Sequence, residues 1–143
     1  MSKIVLTFVL IAVLLLSFSS CGVVKLEIED YHWKMRCVIH IEGEDSVIVA
    51  ADKEESAYPD AKIVEMTLVA SDGKITITDA TNNLTYEGTY EVDSKTPDGT
   101  NYKVTIDGRA GYAGVAMTTY ADSTQEPTLP ITLDGYSIYF YAE

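Results

Sequence analysis

The sequence predicts an all-β domain: an antiparallel up-and-down β-barrel of about eight strands, with a Greek-key β-sandwich as the alternative. Three observations carry this. From residue 31 onward apolar residues recur at every second position, not at the spacing of about 3.6 that marks a helix. Turn signals rich in Gly, Asp and Asn punctuate the chain about every ten residues. The links between runs are short, so neighbours in sequence become neighbours in the sheet, and about eight such strands can close and remove their edges. A sandwich needs a long crossover, and only the stretches 52–61, 93–100 and 121–127 offer the length.

The elements follow in order. Trp33, Met35, Cys37, Ile39 and Ile41 alternate with Lys34, Arg36, Val38, His40 and Glu42, and Val47 and Val49 begin a short second run. Val64, Met66, Leu68 and Ala70 form the inner row of a third, and Ile75 and Ile77 alternate with Lys74, Thr76 and Thr78 in a fourth. The clearest case is Leu84, Tyr86, Gly88, Tyr90 and Val92 against Thr85, Glu87, Thr89 and Glu91: one face for a core, one for water. Tyr102, Val104 and Ile106 follow, then a less polarised run over 111–120, then Leu129, Ile131 and Leu133, and last Tyr136, Ile138 and Phe140. Ser71-Asp72-Gly73-Lys74 reads as a tight hairpin, because glycine takes positive φ without steric cost. Asn82-Asn83, Asp98-Gly99, Gly108 and Asp134-Gly135 punctuate the rest. Only the stretch 52–61 has the composition of a short helix, and Pro59 limits its length.

Ahead of the strands stands a targeting segment. Lys3 precedes an apolar run from Ile4 to Leu16, and small residues Ser17, Ser19 and Ser20 lead to Cys21. Thirteen residues, apolar apart from Thr7, fall short of the roughly 20 that span a bilayer, and the layout is that of a secretory signal. Ser19-Ser20-Cys21 closing the run resembles the bacterial lipobox. The resemblance implies cleavage before Cys21 and lipid attachment to its thiol. The expected organisation is a lipoprotein signal peptide over 1–20, a lipidated tether over 21–30 and a barrel over 31–143, anchored outside the cytoplasm to the bacterial cell membrane or outer membrane.

The chain from Cys21 onward carries nine basic and twenty-two acidic residues, a net charge of −13. So negative a field argues against nucleic acid and anionic lipid surfaces as partners. With Cys21 acylated, Cys37 has no partner for an internal disulfide and reads as a buried, inert thiol in an apolar row. No Gly-x-Ser-x-Gly elbow, phosphate loop, His-Glu-x-x-His or EF-hand pattern occurs. The acid pairs Glu44-Asp45 and Glu54-Glu55 lie near turns and read as solvated charges. His32 and His40, eight residues apart on one strand, lie too far apart to chelate one metal ion. The expectation is a protein that is not an enzyme and that uses neither metal nor cofactor.

A strand that begins at Trp33 after Tyr31-His32, a meander running to the C-terminus and Thr118-Thr119-Tyr120, all behind a lipobox, resemble the small lipocalin-like, calycin-type bacterial lipoproteins. That resemblance implies a cup with one open end and a small apolar ligand inside. The alternation itself turns Trp33, Tyr86, Tyr90, Tyr102 and Tyr136 inward, and these are the candidate ligand-binding residues. A barrel of this size is just wide enough to be filled by side chains or to hold one small molecule, and the sequence leaves that open. The expected function is a membrane-tethered extracytoplasmic lipoprotein that binds a small hydrophobic or amphipathic ligand. The alternative is a solid-cored interaction or inhibitor module of the cell envelope, resting on the outward-facing Tyr139 and Tyr141.

Overall fold

The structure, a computed structural model, describes residues 26–41, 46–51 and 60–143. The targeting segment, Cys21 and most of the stretch considered for a helix lie outside the described residues. Among the described residues ten strands form: β1 (Trp33–His40), β2 (Ser46–Ala50), β3 (Lys62–Ile63), β4 (Met66–Ser71), β5 (Lys74–Asp79), β6 (Leu84–Thr96), β7 (Gly99–Ile106), β8 (Arg109–Thr119), β9 (Gln125–Leu133) and β10 (Tyr136–Ala142). From β4 to β10 each strand pairs antiparallel with the next, and β1 pairs with both β4 and β10. Eight strands thus close an antiparallel barrel. The β1–β10 seam runs from Trp33 opposite Ala142 to His40 opposite Tyr136, and with it the sandwich alternative falls away.

Turn chemistry fixes the meander. Three hairpins, β4–β5, β7–β8 and β9–β10, turn on Asp-Gly pairs with φ of 50° and 75° at Asp72 and Gly73, 50° and 77° at Asp107 and Gly108, and 50° and 75° at Asp134 and Gly135. Two consecutive positive φ angles match the right-handed twist of the flanking strands. The stretch 93–100, expected to be irregular, is instead a strand pair: β6 and β7 stay in register up to Thr96 opposite Gly99, past a bulge between Val92 and Ser94. From Glu91 onward β6 is exposed, running past the end of its pairing with β5 while β7 stays paired with β8.

The barrel is not a uniform cylinder. Beyond its pairing with β4 at Trp33 and Lys34, β1 takes β2 as its neighbour from Cys37 to His40. β2 in turn pairs in parallel with β3, which leads into β4. β2 therefore enters as a wedge between β1 and the β3–β4 track. At the tip of the wedge sits Ala50, fully buried, its carbonyl accepting from Val64 N–H at 3.0 Å. Barrel width grows with strand number, so the end that contains β2 is the wider one.

A bulge in β1 corrects the expected alternation. Register with β10 passes from Met35 to Cys37, leaving Arg36 unmatched. The extra residue reverses which side chains face inward. Trp33 and Met35 point into the core as expected, but Val38 takes the next inward position, and Cys37 and Ile39 turn outward. Cys37 is half-buried on the outer face, not in the core row.

The narrow end is solid. Trp33, Met35, Leu68, Ile75, Val115, Leu129, Ile131 and Phe140 are all within 1% of complete burial. Each large aliphatic or aromatic side chain so buried contributes about 1.5–3 kcal/mol. A short 3-10 turn, Ile28–Asp30, closes this end as a plug. Ile28 inserts into the core with 1% exposure. Its N–H donates to the Tyr102 hydroxyl at 3.0 Å, and its carbonyl accepts from Trp33 Nε1 at 2.8 Å. Segment 26–30, assigned above to the tether, thus packs on the barrel.

Candidate functional site

The opposite end is open. The hairpin turns 107–108 and 134–135, the bend after Asp79 and the wide β1–β2 side surround it. Here lies a cavity of about 340 Å³, walled by Val38, Met66, Ile77, Tyr86, Ile106, Leu133 and Ile138, with Asp107, Arg109 and Tyr136 at its rim. The wall residues are the mouth-side members of the same inward rows that fill the narrow end. Tyr86, Met66, Leu133 and Ile138 are only partly buried, each packed on the core from one side and open on the other. Among the described residues no group of His, Cys, Asp and Glu is arranged to hold a metal ion.

The rim carries charge. Arg109 Nε lies 3.5 Å from the Asp134 carboxylate across the two neighbouring turns. Asp107 has no ion pair among the described residues. Asp79, an inward position on β5 with 2% exposure, accepts from the backbone N–H and side-chain amide of Asn82 at 2.8 and 2.7 Å. Burial on its own would push this carboxyl up, but the hydrogen bonds from Asn82, aided by Thr81 N–H and the charge of Lys62, outweigh it and hold the pKa below the usual carboxylate range. The His40 ring lies 5.0 Å from that of Tyr136 at an angle of 44°, and Tyr136 is 39% exposed.

The five aromatic residues singled out in the sequence divide between the two ends. Trp33, Tyr90 and Tyr102 belong to the plug. Trp33 and Tyr102 are buried and hold Ile28, and the Tyr90 ring meets Tyr102 edge to face at 5.6 Å while its hydroxyl donates to Glu29. Burial, reinforced by Glu29, pushes the Tyr90 phenol up to about 12. Tyr86 and Tyr136 line the cavity. Sequence reasoning did not single out Val38, hidden by the bulge, or the rim pair Asp107 and Arg109, which sit at a turn. The usable signal was position: the wall is drawn from the one or two inward residues of each strand nearest a mouth-side turn.

A second concavity lies outside the barrel. It is a groove of about 480 Å³ over the outer faces of β1, β8, β9 and β10, with Ile39, Ala116, Pro130, Tyr139 and Tyr141 among its walls. Arg36, the bulged residue, spans one side. Its guanidinium lies 4.7 Å from the Tyr141 ring centroid and 5.5 Å from that of Tyr120, and it pairs with Glu126 at 2.8 Å. Tyr139 and Tyr141 therefore face outward as the alternation predicts.

Compared with known proteins, the chain matches no family model, no curated protein and no solved structure. The geometry of the cup and groove thus carries the functional reading.

Proposed function

We propose that this chain is a membrane-tethered extracytoplasmic lipoprotein whose barrel binds a small hydrophobic or amphipathic molecule in its open end. One observation carries the binding half: an apolar cavity of about 340 Å³ at the unplugged end of a barrel whose other end is packed solid. Its volume sits at the lower end of the range of small-molecule pockets, and two tyrosine rings stand among its aliphatic walls. The tether half rests on the lipobox-like run that ends at Cys21. More than one acyl chain is needed for stable anchoring, and the lipobox pattern supplies them on one residue.

All strands and the plug lie within 26–143, so the chain 21–143 with Cys21→Ser contains the whole described fold. Titrated with the neutral fluorophore N-phenyl-1-naphthylamine, it should give saturable one-to-one binding. Ile77→Trp, which fills the cavity from its wall, should abolish that binding while leaving the fold intact. Absence of saturable uptake would overturn the cup. In the full chain, Cys21→Ser should abolish acyl labelling and release the protein from membranes; labelling that persists would overturn the tether.

The second reading, a protein-contact module, is favoured by the outer groove with Tyr139, 38% exposed, at its edge. Tyr139→Ser separates the two: it leaves fluorophore binding unchanged and weakens only a contact made through the outer face.

A further inference from the structure

We propose that the cup selects amphiphiles with a cationic head, of the alkylammonium class, over those with an anionic head. This rests on the cup reading above and names the class of ligand that the same site takes. The apolar wall fixes only that a tail can be buried. The head must then sit at the rim, among Tyr136, Asp107 and Arg109, with Tyr86 in the wall of the same cavity.

Three features of that rim point one way. First, among the described residues Arg109 is the only cation lining the cavity and it lies beside the carboxylate of Asp134, whereas Asp107 has no ion pair among them. An arriving carboxylate would have to compete with Asp134 for the guanidinium; an arriving ammonium meets Asp107 without displacing anything. Second, two tyrosine rings line the same cavity, and aromatic faces attract ammonium groups through the ring quadrupole. A carboxylate gains nothing from those faces. Third, the chain from Cys21 onward has a net charge of −13, a field that concentrates cations and repels anions at any opening. The cavity stands on its apolar wall whatever the rim charge, so the carboxylates only choose among the molecules that fit.

The experiment is displacement of N-phenyl-1-naphthylamine from the 21–143 chain with Cys21→Ser by three ten-carbon competitors below their micelle concentrations: decyltrimethylammonium, decanol and decanoate. The expected order is ammonium, alcohol, carboxylate, with at least fivefold between the first two and tenfold between the first and last. Asp107→Asn should bring ammonium to within twofold of alcohol and leave decanol unchanged. Asparagine tolerates the φ of 50° at this turn, so the variant should fold. Arg109→Gln, which releases Asp134, should widen the preference for ammonium. Equal competition by all three, or an order led by decanoate that Arg109→Gln abolishes, overturns the head-group assignment while the cup stands. Failure of the neutral probe itself to bind overturns both.

Discussion

Tyr102→Phe tests whether the plug is held by specific bonds or merely rests on the core. The substitution removes one oxygen and no ring. Tyr102 has 2% exposure and Ile28 1%, so no water can replace the lost acceptor at the Ile28 N–H. A buried donor left unsatisfied costs about 1–3 kcal/mol, more than the net worth of the bond it made. In a domain of about 120 residues each kcal/mol moves the midpoint by roughly 4 °C, so Tm should fall by about 4–12 °C. Thermal unfolding followed by Trp33 fluorescence gives the global figure. Amide exchange at Ile28 gives the local one, and it should accelerate more than exchange at Leu129 or Ile131 in the opposite wall. Because Tyr102 lies outside the open cavity, uptake of N-phenyl-1-naphthylamine should not change. A loss below 0.5 kcal/mol with Ile28 still protected would refute the reasoning, since the N–H would then have another acceptor.

Other outcomes follow from the same geometry. Gly88→Ala should destabilise by about 1–3 kcal/mol in urea unfolding, because a Cβ there would lie 2.3 Å from the Thr105 carbonyl oxygen and 3.0 Å from the Ile106 Cα, both backbone atoms that cannot swing aside. On the alkaline side the Tyr90 phenol, raised to about 12 by burial and Glu29, contributes stability that is complete below its unfolded value near 10 and is lost as pH climbs toward 12; Tyr90→Phe should flatten Tm against pH in that window. On the acid side Asp79 is depressed, so its contribution is complete above the unfolded carboxylate value of about 3.9 and disappears as pH falls through the folded one. Asp79→Asn should weaken the pH dependence below about pH 4 in chemical unfolding.

Much of the fold was legible because a strand with one wet face writes its orientation into the sequence. Tyr86, Gly88 and Tyr90, the Asp-Gly turns and the inward Val64, Met66, Leu68 and Ala70 stand as the alternation places them, whereas Leu84 and Val92, at the ends of their row, are exposed because no core reaches them. What was illegible has a common cause: it interrupts the period. One bulged residue, Arg36, exchanges Cys37 for Val38 on the inner face, and a period-two reading has no way to locate such an insertion. The plug covers three residues, too few to show a period, and Ile28 declares itself only once Trp33 and Tyr102 are placed around it. Trp33, Tyr86, Tyr90 and Tyr102 do turn toward the core and Tyr136 reaches only the rim, but inward does not say at which height along the barrel. Height comes from register, and register separates Tyr86 and Tyr136 from Tyr90, Tyr102 and Trp33.

The stopper stands at the same pole as Leu26, the first described residue after the proposed attachment point. Only five peptide links separate Cys21 from Leu26, a span of at most about 18 Å, and Leu26 already touches the sealed base. An acylated Cys21 would therefore hold that base near the bilayer and turn the brim toward the aqueous compartment. A ligand of the proposed cup would then enter from the aqueous side.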